Sequence, residues 1–190
     1  MLSECCLGSV GFTVREGVMK PLQYLPIDMD HPLNSTDPYG VRKMLSEEIG
    51  GSFAQRWKMS VVALRPMIIT YPEMHGELEA LAESPDTYAE TPTGGRPCRH
   101  LVDPRDVAAA FVKAMELENV IFERFLISAN MTLSPTPKLD GLKNILCHLP
   151  PIRNPELYEN NPFAPLFDRE HTQKWLVFEP KYDAGSIVNL

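Results

Sequence analysis

The chain has 190 residues, of which 44% are hydrophobic and 23% are charged. This composition indicates a globular protein that can bury a core, in one or two domains. With 25 acidic against 18 basic residues the net charge is −7, which disfavours a nucleic-acid partner because no positive field attracts phosphates. No uncharged apolar run approaches the ~18 residues of a membrane span, and the start lacks the features of a secretory signal. A membrane partner is therefore not predicted either.

Cysteine and histidine usage gives no sign of a disulfide scaffold or a metal site. The four cysteines are too few and too irregularly spaced for either, so we expect a reducing, cytoplasmic location. The five histidines lack metal-ligand spacing, and we expect them at the surface. The 18 prolines are about twice the ordinary ~5% share and predict turns and short helices in the C-terminal third.

The first convincing element is a helix that begins at Asp37-Pro38. Asp is a favoured N-cap, and Pro suits the first helical position because its missing N–H has no partner there. An apolar residue then recurs every four positions, which gives the helix one apolar stripe. The stripe consists of Val41, Leu45, Ile49 and Phe53. The β-branched run at 59–64 predicts a strand that is buried on both faces of a parallel sheet.

The second half of the chain repeats this order of elements. Asp103-Pro104 predicts another capped helix with an alanine-rich face, and residues 123–128 predict the next strand. We expect further helices near 74–83, 138–146 and 168–176. Helix, strand, helix, strand is typical of an α/β domain with right-handed crossovers. The predicted fold is a partial Rossmann-like, doubly wound and mostly parallel sheet, with a small proline-rich subdomain.

Tyr39 and Lys43 are the residues with the clearest chemical potential. They stand four positions apart, so their side chains share one helix face. A phenol with a pKa near ~10 is a poor base at neutral pH, unless a neighbouring ammonium favours its charged form. Such a pair can exchange a proton with a hydroxyl or carbonyl oxygen while a hydride moves elsewhere. A packing Tyr beside a solvated Lys is the alternative, since this spacing also arises by chance.

The surrounding sequence resembles a known family. Residues 24–32, followed by the motif DPYGVRK at 37–43, closely resemble the active-site helix of the extended short-chain dehydrogenases/reductases, the NAD-dependent epimerase/dehydratase family. Further similar segments follow in the family's order. They are SVVALRP at 60–66, VDPRDVA at 102–108, FLISA at 125–129 and FEPKY at 178–182. The resemblance therefore covers most of the chain.

The resemblance implies a catalytic set and a cofactor. Tyr39 would be the acid/base, and Lys43 would lower its pKa and bind the nicotinamide ribose of NAD or NADP. Arg65 and Pro66 would also contact the cofactor. The family's third catalytic residue is a Ser or Thr at the end of the preceding strand. Ser9 is the candidate here, although a rival alignment puts Cys6 in its place, and a thiol is the weaker hydrogen-bond donor.

Several arginines are candidates for substrate binding. Arg99 and Arg105, and also Arg65, could meet the diphosphate of a nucleotide sugar, because a guanidinium suits bidentate phosphate contacts. The alternative is that they cap helices or pair with Asp103 and Asp106.

The family's N-terminal glycine-rich loop, which holds the cofactor pyrophosphate, is not found. The nearest match, at 8–14, has Val14 where the third glycine belongs. We therefore expect the chain to be the C-terminal part of such a protein, whether a truncated gene model, a splice form or a relic. Residues 1–66 and 98–130 would form the residual NAD-binding half, and 67–97 and 131–190 the substrate side.

Two functions remain open from the sequence. In the first, the chain is an NAD(P)-dependent oxidoreductase or epimerase that acts on a hydroxyl or carbonyl of a sugar or nucleotide sugar. In the second, it is a non-catalytic remnant or interaction module that binds no cofactor. Family members often dimerise by pairing the tyrosine helix with its predecessor. The resemblance thus makes a homodimer one alternative, although that predecessor is not found here.

Overall fold

A computed structural model describes residues 2–3, 21–74, 76, 78–80, 100–146 and 148–182. The strands of this part are β1 (Leu2–Ser3), β2 (Val61–Pro66), β3 (Ile68–Ile69), β4 (Leu101–Val102) and β5 (Phe122–Ile127). The helices are α1 (Pro38–Trp57), α2 (Pro104–Met115), α3 (Lys138–Ile145), α4 (Pro155–Asn160) and α5 (Glu170–Leu176). A short 3₁₀ helix lies at Pro72–Met74.

The main sheet is parallel, with β2 between β1 and β5. Leu2 pairs with Ala63, and Val61 pairs with Phe122. All six residues of β2 are buried, which confirms the predicted strand, shifted by two residues. β3 and β4 form a second parallel pair that the sequence did not predict, because two-residue strands carry no periodicity.

Alternate residues of the central strand β2 face helices on opposite sides of the sheet. Val62 and Leu64 of β2 join one core cluster with Val107 and Ala110 of α2. Arg65, whose side chain points to the opposite face, contacts α1. The same cluster extends into the predicted substrate side and there includes Leu142, Tyr158, Leu166 and Phe167. The predicted α/β fold with parallel strands is therefore confirmed, while the division into two parts stays a prediction.

The helix starts follow the local chemistry of their caps. The Asp37 side chain accepts from the backbone N–H of Tyr39, and that of Asp103 accepts from the backbone N–H of Arg105. Both helices predicted from Asp-Pro are thus confirmed, as are the short helices α3 and α5. α4 begins after Asn154, whose side chain caps it, and was not predicted. Of the helix predicted near 74–83, the described positions 76 and 78–80 are helical.

The apolar stripe of α1 faces away from the sheet. Its residues range from 37% exposed at Val41 to 62% at Trp57, which continues the four-residue spacing. We call these residues the α1 stripe: Val41, Leu45, Ile49, Phe53 and Trp57. The side of α1 toward the sheet instead buries Gly40, Glu47, Gly51 and Ala54. Small residues allow a close approach there, since a Cβ on Gly51 would lie 3.4 Å from the Phe122 ring.

Two histidines correct the expectation that all of them lie at the surface. His31 is 3% exposed and His100 is 1% exposed. Each has a structural reason to be inside, because its Nε2 accepts a backbone N–H: from Gln23 at 3.1 Å for His31, and from Leu166 at 2.8 Å for His100. His148 is exposed and His171 is half-buried.

The burial of His100 predicts a loss of stability at acidic pH. Desolvation, and next the charge of Lys138, hold the pKa of His100 well below its ordinary value. Below pH ~6.5 His100 becomes protonated in the unfolded chain but stays neutral in the native state. The stabilisation present above that pH is therefore lost as the pH falls, by about 1.4 kcal/mol per pH unit until the native-state pKa is reached. Urea unfolding between pH 7.5 and pH 5 measures this slope.

The matched variants are His100→Gln, which keeps an acceptor for the Leu166 N–H, and His148→Gln at the surface. We expect only the first to flatten the slope. Burial also lowers the pKa of His31, but that group is present in both variants. Equal slopes in the two variants would contradict the prediction.

No helix in the described part of the chain is both long and apolar enough to cross a membrane.

Candidate active site

Tyr39 and Lys43 lie in the first two turns of α1, and both are half-buried. The Lys43 Nζ atom is 5.6 Å from the centroid of the Tyr39 ring. The four-residue spacing thus places a cation beside the phenol ring, as the helix geometry predicts. The arrangement can stabilise a phenolate, because the ammonium favours the charged form.

The backbone that carries this pair is fixed by the residues just before it. Asp37 is buried, and its Oδ1 accepts the Tyr39 N–H at 3.3 Å while its carbonyl accepts the Val41 N–H at 2.9 Å. Ser35 Oγ in turn accepts the Asp37 N–H at 3.3 Å. The helix start therefore holds Tyr39 at a defined position at the edge of the interior.

A second cation lies at the Tyr39 ring. The Arg42 Cζ atom is 5.3 Å from its centroid, slightly nearer than the Lys43 ammonium. Arg42 was not among the site residues predicted from the sequence. The available signal was its position three residues after Tyr39, since residues at i and i+3 share a helix face.

The segment that leads into α1 is tied to the C-terminal part of the chain. Tyr24 donates its O–H to Asp28 at 2.6 Å, and the Arg153 guanidinium lies 3.2 Å from the Tyr24 ring centroid. Burial, then the hydrogen bond to Asp28, raises the pKa of Tyr24 to about 12. Backbone bridges join Leu25 to Ile152 and Ile27 to Phe167. No local pattern could have indicated a contact between residues so far apart in sequence.

Arg65 occupies a buried ion pair. Its Nε and Nη2 donate to the two carboxylate oxygens of Glu47, each at 2.6 Å, and the residues are 0% and 2% exposed. Arg124 adds a longer contact to Glu47, at 3.8 Å. The geometry gives Arg65 a structural partner inside the fold and does not support its predicted contact with a cofactor or a diphosphate. Pro66, the last residue of β2, is buried, and its predicted cofactor contact stays a prediction.

Arg105 adopts the pairing that was the alternative to phosphate binding. Its Nε and Nη2 each donate to Asp103 at 2.8 Å, and these hydrogen bonds hold the pKa of Asp103 below its usual value. The guanidinium also lies 3.6 Å from the Tyr182 ring centroid. Neighbouring Asp106, which is buried, accepts the backbone N–H groups of Lys181 and Tyr182, both at 3.0 Å.

The remaining predicted site residues lie outside the described part of the chain. They are Ser9, its rival Cys6, and Arg99. Among the described residues, no group of three or more His, Cys, Asp or Glu could hold a metal ion.

Solved structures are similar to this chain, and eight of them have TM-scores between 0.53 and 0.58. These eight include sugar epimerases and a protein of the short-chain dehydrogenase/reductase superfamily. The chain therefore has the Rossmann-like α/β fold of that superfamily. No family sequence model and no curated protein sequence matches it.

Three of these structures illustrate the likeness. UDP-N-acetylglucosamine 4-epimerase from Bacillus cereus is 15% identical at a TM-score of 0.56, over 98% of this chain and 58% of its own. UDP-glucose 4-epimerase from Thermotoga maritima, with UDP-glucose, is 19% identical at a TM-score of 0.58. The match covers 99% of this chain and 60% of the epimerase chain. A short-chain dehydrogenase/reductase superfamily protein from Agrobacterium tumefaciens with bound NAD is 16% identical at a TM-score of 0.58. The match covers 98% of this chain and 63% of that protein's chain. The chain thus spans about three fifths of the length of the structures that it matches.

Proposed function

We propose that this chain carries the proton-transfer helix of an NAD(P)-dependent oxidoreductase of the sugar-epimerase type. The observation that carries the proposal is the Lys43 ammonium 5.6 Å from the Tyr39 ring, at the capped start of a helix that packs on a parallel sheet. The fold supports it, because solved structures of that fold hold NAD or UDP-sugars. The substrate would be a sugar or nucleotide sugar with an oxidisable hydroxyl.

In this proposal the cofactor supplies a hydride acceptor when bound. Tyr39, as the phenolate, takes the proton from the substrate hydroxyl, and in the reverse direction the phenol returns that proton to the carbonyl oxygen. Lys43 stabilises the phenolate by its charge and offers N–H donors to the hydroxyls of a ribose. Both residues are half-buried at a helix start, which suits contact with a ligand. The described residues do not include a glycine-rich loop for the pyrophosphate.

Cofactor binding is the direct test. We expect NAD or NADP to raise the melting temperature by roughly 3–6 °C at about ten times Kd, because a ligand that binds only the native state stabilises it. Differential scanning fluorimetry up to millimolar cofactor measures this shift. Lys43→Met should reduce the shift, whereas Lys113→Met, which removes an exposed lysine from α2, should not. No shift with either cofactor would contradict the proposal and favour the non-catalytic alternative.

The α1 stripe supports a homodimer as part of the proposal. Five apolar side chains, each more than a third exposed, form a line along one helix, and a continuous apolar surface of this kind is typical of an interaction site. Two antiparallel copies related by a twofold axis at Ile49 would set Leu45 against Phe53, and Val41 against Trp57. Each of the outer pairs joins a smaller side chain to a larger one, which makes the stripe complementary to itself.

A charge at the proposed axis should therefore abolish self-association. We expect Ile49→Glu to convert the chain from a dimer to a monomer, because burying an unpaired carboxylate in an apolar contact is costly. Light scattering after size-exclusion chromatography across a range of protein concentrations measures the mass. Val112→Glu, at an exposed apolar position of α2, is the control that should leave the mass unchanged. A monomeric unmodified chain at the highest concentration would contradict this interface.

A further inference from the structure

Two cations, Arg42 and Lys43, lie beside the ring of Tyr39. Arg42 and Lys43 follow Tyr39 by three and four residues, so both side chains can reach the same helix face. Their charged groups lie 5.3 Å and 5.6 Å from the ring centroid, within the ≈ 6 Å range in which a cation is attracted to an aromatic face. The two positive charges therefore act on the ring from nearly equal distances.

The two cations differ in how permanent their charges are. A lysine ammonium that is desolvated by a ligand can lose its proton, whereas an arginine guanidinium stays charged. Lys43 is already half-buried, while Arg42 is exposed. A ligand that contacts Lys43 would desolvate its ammonium further. The charge of Arg42 does not depend on such desolvation.

The structure also shows where the Arg42 guanidinium is engaged. The ion pairs among the described residues all lie elsewhere, and the Arg42 guanidinium lies against the Tyr39 ring. Arginines that pair with carboxylates, such as Arg65 with Glu47, have their charge largely compensated. No carboxylate of the described residues compensates the Arg42 charge in this way.

We propose that Arg42 is a positioning residue that holds a second, permanent positive charge against the Tyr39 ring. The inference rests on the proposed function of Tyr39. Ionisation of the phenol spreads negative charge into the ring, so a cation at the ring face stabilises the ionised form more than the neutral one. Arg42 therefore helps to keep Tyr39 able to release and accept a proton, while Lys43 is also engaged with the ligand.

The test is the titration of the Tyr39 phenol in the chain without cofactor or substrate. NMR of the chain with ¹³C at tyrosine Cζ reports each ionisation between pH 7.5 and pH 11, and the Tyr39→Phe variant assigns the signal. We expect Arg42→Gln to raise the midpoint by about half a pH unit, the value for a charge about 6 Å away in water. Arg42→Lys should keep the midpoint within about 0.2 pH units of the unmodified chain, and 1 M salt should shrink the difference made by Arg42→Gln.

Arg56→Gln is the matched control. It removes a cation from the same helix that lies 5.2 Å from another ring, that of Trp57, and should leave the Tyr39 midpoint unchanged. If Arg42→Gln moves the midpoint no more than Arg56→Gln does, the inference is wrong. Because no cofactor is present in this titration, failure to bind NAD would contradict the proposed function without affecting this result. Circular dichroism checks that each variant is folded.

Discussion

Replacing Tyr39 with phenylalanine is expected to lower turnover by about 10²–10⁴-fold, the usual contribution of a positioned acid/base. The substitution keeps the aromatic ring beside its two cations and removes only the hydroxyl that exchanges the proton. The backbone N–H of residue 39 still reaches the Asp37 cap, so we expect the melting temperature to change little. The loss should appear in the rate rather than in the fold.

UDP-glucose with NAD is a suitable first assay, because solved structures of this fold hold one or both of these molecules. Anion-exchange chromatography of the reaction mixture separates epimeric products and gives the rate for each variant. Tyr71→Phe is the control, since Tyr71 is an exposed tyrosine outside α1 and should be neutral. Equal rates for Tyr39→Phe and the unmodified chain would exclude the proposed role. No turnover by the unmodified chain with any UDP-sugar would contradict the enzymatic proposal itself.

The second large effect concerns the buried pair between α1 and β2. We expect Glu47→Ala to lower the free energy of unfolding by about 3–5 kcal/mol, because removing one partner of a buried ion pair leaves the other charge uncompensated. Arg65 is fully buried, and its two donors to Glu47 would lose their acceptors. Urea unfolding monitored by circular dichroism gives this difference.

Glu48→Ala provides the matched control, since Glu48 is the exposed neighbour of Glu47 on the same helix. It should change stability by no more than about 0.5 kcal/mol. The double variant Glu47→Leu with Arg65→Met should regain most of the loss, because an apolar pair of similar size avoids the desolvation of both charges. A Glu47→Ala variant as stable as Glu48→Ala would show that the pair does not link α1 to the sheet.

The sequence predicted the elements whose causes are local. An Asp side chain can cap a helix only within a few residues, so Asp37-Pro38 and Asp103-Pro104 marked both long helices. An apolar run likewise indicated β2, because a strand that is covered on both faces is rich in apolar residues. The spacing of Tyr39 and Lys43 was informative for the same reason, since a helix fixes what lies one turn away.

The sequence was uninformative where a neighbour distant in the chain decides the environment. Periodicity identified the α1 stripe but not its environment, and the stripe is exposed. The side of α1 that faces the sheet buries a glutamate and small residues. Glu47 is tolerated there because Arg65, 18 residues later, neutralises it. His100 is likewise inside because a backbone N–H 66 residues away needs an acceptor. Such pairings depend on the assembled fold and leave no local pattern.

The two hydrogen bonds that Asp106 of α2 accepts from the main chain at 181 and 182 affect which substitutions the C-terminal part of this chain tolerates. Asp106 accepts hydrogen bonds from the backbone N–H groups of Lys181 and Tyr182. Because these bonds do not involve the Lys181 side chain, they do not depend on which residue stands at 181. We therefore expect the residue at 181 to vary among related chains, and the residue at 182 to stay aromatic because its ring contacts Arg105. Position 106 should admit hardly any replacement, since few side chains offer two acceptors at that reach.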